Sequence, residues 1–448
     1  MQNSFQATAE FSLRRSVSEM PEAARKWAAL LLLDTLGIAV ASGPMEAGVI
    51  ARDTAAALYG SDAPNMRARM LMDGRAVSLA GAAYAIATQT DNLDAHDGFN
   101  PNKGHIGCAV VPALLALAQQ QNDLSGIDAL GALIVGYEVA GRAGLGLHGT
   151  ACDYHTSGAW NALGVVALGA RLRGLGDAQF RHALGIAEYH GPRSQMMREI
   201  ANPTMLHDGS GWGAMAGISA LVLAERGFTG APAITLEGDD VALHWSDLGT
   251  RWIMTEQYVK PYPICRWAHA PIDAVRALKA AHGFTHSDVA SVQINTFAES
   301  ACLFGGMPET TSQAQYSLGF ALAQMLVAGQ IGLAQISGDG LKDARVKAML
   351  EKTEVVISEQ HNALFPQHRT ADVIVTLNDG RVLESGLVHA RGGAEEPFSA
   401  EDIQEKFFSF ASPVVGDARA KEICAAVMGL SEPNARFDDL AALLYEPA

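Results

Sequence analysis

KPYPICRWAH, residues 260 to 269, divides the chain into two textures. Upstream, apolar residues recur at helical spacing in eight segments: 21–43, 45–59, 76–90, 108–120, 126–147, 155–173, 177–190 and 208–227. Pro21 suits a first helical turn, GFTGAP (227–232) is a stop, and no strand pattern stands out among these segments. Downstream the pattern alternates: a helix over 269–282, a strand-like ASVQINTFA (290–298), a helix near 313–329, then EVVISE and ADVIVTLNDGRVLESGLV. In the last stretch VIVTL and RVLESG flank Asn-Asp-Gly, a hairpin signal. Helical spacing returns over 399–445. The expected architecture is mostly α: a large all-α helical domain (1–266), a smaller α+β lid domain (267–395), and a C-terminal helical segment (396–448) that returns to the helical domain. The two prolines of KPYPICRWAH hold the backbone extended, while Lys260, Arg266 and His269 supply three donors suited to a carboxylate or phosphate. The same residues would also serve as an interdomain linker carrying solvated cations.

Composition narrows the function. Hydrophobic residues make up 49% and charged residues 18%, and the abundance of Ala and Gly points to closely packed helices. A formal net charge of -16 with no Lys/Arg run speaks against a nucleic-acid surface and against attachment to anionic lipid, so an anionic ligand would need a local positive pocket. The longest apolar stretch, WAALLLLDTLGIAVA (27–41), is interrupted by Asp34 and Thr35 and is short for a bilayer, so it reads as a core helix and no membrane partner is expected. The first residues lack the ordered regions of a signal peptide, which makes the cytoplasm the expected compartment. Five cysteines (108, 152, 265, 302, 424) lie far apart and never as CxxC, which disfavours a disulfide framework, a zinc site and an iron–sulfur motif.

Chemistry concentrates in DNLDAHDGFNPNKGH (91–105), which packs three aspartates and two histidines between two small-residue apolar segments. A polar loop between buried helices is a common seat of function, and a solvated, cap-rich turn is the plainer alternative. His96, His105, His155 and His269 each stand beside other polar or special residues and are candidate proton carriers near neutral pH. The His96-Asp97 pair also fits a metal phosphohydrolase. Such a site needs an upstream histidine, and His96 is the first in the chain. No GxxxxGK[ST], HExxH, GxSxG or strand-linked GxGxxG is present, and no metal is expected.

The order of segments is more informative than any one of them. LDAHDG, GHIGCAVVPALLALA, GYEVAGR, DYHTSGAWNALGVVALGARLRGL, LHDGSGWGAMAGISALVLAERGFTG and KPYPICRWAHAPIDAV follow one another in a way that resembles the MmgE/PrpD family over residues 20 to 330. That family includes 2-methylcitrate dehydratase, cis-aconitate decarboxylase and iminodisuccinate epimerase. The resemblance implies a helical domain with an α+β lid, small polycarboxylate substrates, no cofactor and a homodimer. The family's Asp-Phe-Asp-Asp-Thr loop falls on Asp94, Ala95, His96, Asp97 and Gly98, and its following histidine on His105. A third-segment histidine falls on His155, the lysine of Lys-Pro-Tyr-Pro on Lys260, and a later histidine on His269. Two departures stand out. The pattern Lys-x-Leu-His-x-Gly falls on 204–209, so His207 is kept but Thr204 stands where a lysine is expected, and the histidine before the aspartate loop is Asp91.

Dehydration, epimerisation and decarboxylation of such substrates all manage charge on carbon beside a carboxylate. That takes a placed base, a placed acid and cations on the carboxylate oxygens. The resemblance implies His155, His105, Lys260 and Asp94 as catalytic residues, with His96, Arg266, His269, Thr204 and His207 binding substrate. A neutral Thr204 suggests fewer or differently placed carboxylates. The expected activity is a cofactor-independent lyase of dehydratase type on a hydroxy di- or tricarboxylate. The alternatives are an epimerase of an amino- or imino-dicarboxylate, a decarboxylase of an unsaturated tricarboxylate, and a non-catalytic ligand-binding member. If Lys260 clamps a carboxylate, Lys260→Met raises KM and slows turnover together, because a clamp contributes to both binding and orientation. Steady-state kinetics of that variant checks this, and an unchanged KM for the anionic substrate would leave Lys260 no clamping role.

Overall fold

A computed structural model describes residues 3–447 and divides them into two compact units. The first holds the residues up to Met196, then His207–Gln257, then everything from Ser399 on, and the second holds Met197–Leu206 and Tyr258–Phe398.

The first unit is helical. Glu22–Ala41, Glu46–Leu58, Leu79–Asp91, Gly107–Ala118, Gly126–Thr150, Gly158–Arg173, Asp177–His190 and Ser210–Glu225 follow the eight segments of helical spacing, and Ala400–Met428 and Phe437–Leu444 complete the unit from the C-terminal side. Small residues set how closely these helices approach. A Cβ added at Gly164, in Gly158–Arg173, would lie 2.5 Å from the Gly136 carbonyl oxygen and 2.6 Å from the Ala140 Cβ, so the contact with Gly126–Thr150 exists only without a side chain there. Gly126–Thr150 is long and apolar enough to cross a bilayer, yet 94% of its most apolar window is buried inside the protein. A helix apolar all round belongs in a core as readily as in a membrane. One element departs from the sequence pattern: Arg67–Arg69 pairs antiparallel with Ala76–Ser78. Three-residue strands are too short to declare an alternating period, so the ribbon shows only once its partner is in place.

The second unit is α+β. Val289–Thr296 runs parallel to Thr353–Ile357 on one side and antiparallel to Thr370–Leu377 on the other. Thr370–Leu377 continues into the expected hairpin with Val382–Glu384, turned through Asn378-Asp379-Gly380 with Gly380 at φ +88°, and pairs also with Val388–His389. Ala371, Val373, Val375 and Leu377 are buried in alternation, the pattern of a strand with one face on a core. Helix His269–His282 packs on this strand and against Leu318–Ala328. The parallel pair was not legible locally, because its strands are joined by a long helical crossover rather than a turn.

Within the first unit the C-terminal helix is anchored on the first core helix. Phe407 lies over Gly37, and the Lys406 ammonium sits 2.5 Å from Asp34 Oδ1 and donates to the Ala95 carbonyl at 2.7 Å. Asp34 and Lys406 are both buried, so removing one partner strands the other charge in the core. Lys406→Met is expected to cost about 3–5 kcal/mol, with part of the loss regained when Asp34→Leu is added. Chemical denaturation of the two variants measures this, and a single variant as stable as the native chain would make the pair dispensable.

Candidate active site

The segment 92–106 joins Leu79–Asp91 to Gly107–Ala118, and the structure buries nearly all of it, so it is not a solvated turn. Asp94 and Lys103 take the left-handed region at φ +52° and +53°, and the Phe99 N–H donates to the Gly104 carbonyl at 2.8 Å, folding the segment back on itself. Lys406 holds the Ala95 carbonyl from below.

His105 is fixed at every polar atom of its backbone and at one ring nitrogen. Its N–H donates to Ser157 Oγ at 2.9 Å, its carbonyl accepts from Asn161 Nδ2 at 2.8 Å, and Nδ1 lies 2.6 Å from the Asp97 carbonyl oxygen. A carbonyl only accepts, so Nδ1 carries the proton and Nε2 is left as the basic nitrogen of the neutral ring. Nε2 lies 3.7 Å from Asp208 Oδ2. The other oxygen of Asp208 accepts from Ser157 Oγ at 2.6 Å and from the Ser157 N–H at 3.1 Å. Ser157 thus links the His105 backbone to the carboxylate that faces the His105 ring. Burial, and then the charge of Asp91, push the Asp208 carboxyl above the ordinary range, against the pull of its Ser157 hydrogen bonds.

His96 meets His105 edge to face, with ring centroids 4.6 Å apart, and its Nε2 lies 3.5 Å from Asp91 Oδ1. Asp91 Oδ2 accepts the Ser210 N–H at 3.1 Å. Burial pushes Asp97 up to about 6; the neighbouring His96 opposes the rise and Asp34 adds to it. A side chain at Gly107 would collide with Asp97 Oδ1 and the Tyr137 hydroxyl, so glycine is what admits both groups beside the start of the helix. Asp94 is buried in the same segment.

His155 lies just before Gly158–Arg173. Its N–H donates to His148 Nε2 at 3.3 Å and the two rings are parallel, 6.5 Å apart. That bond needs a neutral His148, and burial followed by the charge of Lys103 depresses His148 to about 4. His155 Nδ1 is buried and has no hydrogen-bond partner among the described residues. His207 is buried at φ +47°, next to Asp208.

The remaining four expected residues belong to the second unit. Lys260 and His269 are fully buried and Arg266 is 5% exposed, so the segment is not a linker of solvated cations. Arg266 donates to the Arg391 carbonyl at 2.7 Å and the Ala390 carbonyl at 3.0 Å, and its guanidinium lies over the Tyr258 ring. Burial lowers it to about 10. His269 Nε2 lies 2.8 Å from the Ile264 carbonyl, a structural bond that steadies its own segment. Thr204 is exposed, donating through its N–H and Oγ to the two oxygens of Glu199 at 2.7 and 2.9 Å.

The structure therefore gathers His96, His105 and Asp94 in one buried segment, ties His105 through Ser157 and Asp208 to the segments of His155 and His207, and holds Lys260, Arg266, His269 and Thr204 in the other unit. Ser157, Asp208, Asn161 and His148 were not singled out from the sequence. The only signal was adjacency: Ser157 lies in YHTSG beside His155, and Asp208 in LHDG beside His207. Two sizeable cavities, about 500 Å³ around Phe304, Lys347 and Leu350 and about 440 Å³ around Met66 and Leu223, are lined by none of the nine.

Residues 6–249 match the MmgE/PrpD N-terminal domain and residues 262–430 the MmgE/PrpD C-terminal domain. The chain is 27% identical over 410 residues to a cis-aconitate decarboxylase of Aspergillus terreus, covering 82% of this chain and 80% of that one. It is 25% identical over 377 residues to the cis-aconitate decarboxylase of Homo sapiens, covering 78% and 76%. With both domains matched in order along most of its length, the chain belongs to the MmgE/PrpD family.

Proposed function

We propose that this protein is a lyase acting on a small polycarboxylate by proton transfer at carbon beside a carboxylate, using side chains alone, and that its reaction is loss of carbon dioxide from an unsaturated tricarboxylate. The observation that carries the proposal is the placement of His105: Nδ1–H on the Asp97 carbonyl turns Nε2 toward the Asp208 carboxyl, where the ring can take up and release a proton. The likeness to cis-aconitate decarboxylases over most of the chain supports the choice of reaction.

In that reaction the bond to the departing carboxylate breaks, its electron pair forms a new double bond to the neighbouring carbon, and the pair of the old double bond moves to the far carbon. The double bond shifts by one carbon, and the far carbon takes a proton from an imidazolium, which regains one from water. His155, whose Nδ1 has no hydrogen-bond partner among the described residues, is the proposed donor. His105 is the second proton carrier, Asp208 its charge partner, and Asp94 and His96 belong to the same buried segment.

A second reading, dehydration of a hydroxy di- or tricarboxylate, is favoured by Thr204. Its partner Glu199 puts an acid, not a cation, at that position, which weakens the case for a third carboxylate there. In that reaction a base takes the proton beside the carboxylate and the neighbouring hydroxyl leaves, protonated, as water. Proton NMR in deuterated water separates the two. Decarboxylation of cis-aconitate gives an alkene dicarboxylate one carbon shorter, with one deuteron and released carbon dioxide, whereas dehydration of a hydroxy acid gives an alkene of unchanged carbon count. His155→Ala is expected to slow either reaction by about 10² to 10⁴ with folding intact. Binding of di- and tricarboxylates without any turnover would sink both readings.

Asp208 is a positioning group facing the His105 ring, and its replacement by Asn removes a negative charge from beside that ring, so Asp208→Asn should make the His105 imidazolium easier to deprotonate. The ring nitrogen shifts of His105, followed by NMR against pH, report this without substrate. The acid limb of kcat/KM should move to lower pH in step. A purely structural role for Asp208 would leave the His105 titration unmoved.

A further inference from the structure

Among the described residues two groups of three side chains bring metal-ligating atoms together, Asp91 with His96 and Cys108, and His368 with His389 and Glu395. The first is fully buried and already engaged: Asp91 with His96 and the Ser210 N–H, Cys108 with the Ser210 hydroxyl at 3.1 Å. The second belongs to the second unit and takes no part in the chemistry above.

The fold brings it together from three stretches of chain. His368 leads into strand Thr370–Leu377, and the ladder sets His389 opposite Thr370, so the two imidazoles meet edge to face with centroids 5.4 Å apart. Glu395 arrives from the loop after His389. Its Oε1 is 2.6 Å from His368 Nδ1 and 3.8 Å from His389 Nδ1, and all three ligating atoms lie within 4.8 Å of one another. A tetrahedral ion with bonds near 2.0–2.1 Å spaces its ligands about 3.3 Å apart, so movements of about 1 Å would close the set around one ion. The side chains are 42%, 32% and 33% exposed, which leaves an open face for water ligands and for entry of the ion.

We propose that His368, His389 and Glu395 form a binding site for a divalent transition-metal ion such as zinc, with water completing the coordination. Two imidazoles and one carboxylate suit zinc, cobalt, nickel or copper, and not calcium or magnesium, which favour all-oxygen sets. The site has a consequence for the unit that carries it. The loop between His389 and Glu395 is bound to the segment of Lys260: the Val259 N–H donates to the Gly392 carbonyl at 2.8 Å, and Arg266 holds the carbonyls of residues 390 and 391. A side chain at Gly393 would lie 3.0 Å from Arg266 Nη2 and 3.6 Å from Glu395 Oε2, so the guanidinium and the ligand carboxylate both crowd this glycine. An ion joining 368, 389 and 395 would fix that loop at both ends and stiffen the Tyr258–Arg266 segment through it.

The test uses the full chain without a histidine tag, stripped with a chelator. Titration with zinc by calorimetry should give one site per chain, and titration with cobalt should give visible ligand-field bands with no thiolate-to-metal charge transfer. His368→Ala, His389→Ala and Glu395→Gln should each weaken that site by more than about tenfold. The zinc-loaded chain should show slower amide exchange at 258–266 and 389–395, and this protection should be lost in His368→Ala. Failure of zinc and cobalt to bind below millimolar concentration, binding unchanged in all three variants, or a charge-transfer band that disappears with Cys108→Ser would each overturn the proposal. Circular dichroism of the variants separates loss of the site from loss of the fold.

Discussion

The buried ion pair of Lys406 with Asp34 is the constraint on which the first unit turns. Asp34 interrupts the most apolar stretch of the chain and is 1% exposed, and a lone carboxylate there would be untenable without a counter-charge. The counter-charge comes from the C-terminal helix, more than three hundred residues later, and the same ammonium caps the Ala95 carbonyl in the segment between Asp94 and His96. One cation therefore fixes the first core helix, the last long helix and the acidic segment with respect to one another. A hydrophobic pair would have held the helices together equally well, because burying an ion pair rarely gains stability over apolar packing. What the charge adds is a particular placement of the 94–97 backbone, and that placement sets where the Asp97 carbonyl meets His105.

The second constraint is an excess of acid in a confined space. Asp34, Asp91, Asp94, Asp97 and Asp208 are all buried in one unit. Burial raises Asp97 and Asp208 because a carboxylate loses its water there, and the neighbouring aspartates add to the cost of ionising each. Ser157 and the backbone N–H groups offset part of this by donating to the carboxylates. Carboxyls raised in this way give up their protons closer to neutral pH than exposed ones do, which suits acid–base chemistry.

The helical body and the α+β segment were legible because helical spacing persists over long runs and the Asn-Asp-Gly hairpin has a local signature. The ribbon of Arg67–Arg69 with Ala76–Ser78 and the parallel pairing of Val289–Thr296 with Thr353–Ile357 were not, since three-residue strands have no period and a crossover leaves no turn signal. At the site, His105 and His96 announced themselves by composition. Lys406 did not: in the sequence it is one lysine on an amphipathic helix, and nothing local distinguishes it from a surface cation. Ser157 and Asp208 were hidden for the same reason, their roles arising from a meeting of segments some fifty residues apart. Asp34 was visible as a flaw in an apolar run, and such a flaw points to a partner without saying where the partner lies.

A histidine at position 96, where the family resemblance implies an acid, suits this electrostatic crowding. Position 96 lies between Asp91, at 3.5 Å from the ring, and Asp97, whose carboxyl the histidine pulls down while Asp34 pushes it up. An aspartate at 96 would set four carboxylates of one short segment against each other with Lys406 as the nearby buried cation, and at least one would have to stay protonated. A histidine instead adds no fixed negative charge: it packs edge to face on His105 and sets Nε2 3.5 Å from Asp91. The departure from the family pattern at this position is thus compatible with a working proton-transfer site, because it lowers the charge burden on Asp97 without disturbing the Asp97 carbonyl that orients His105.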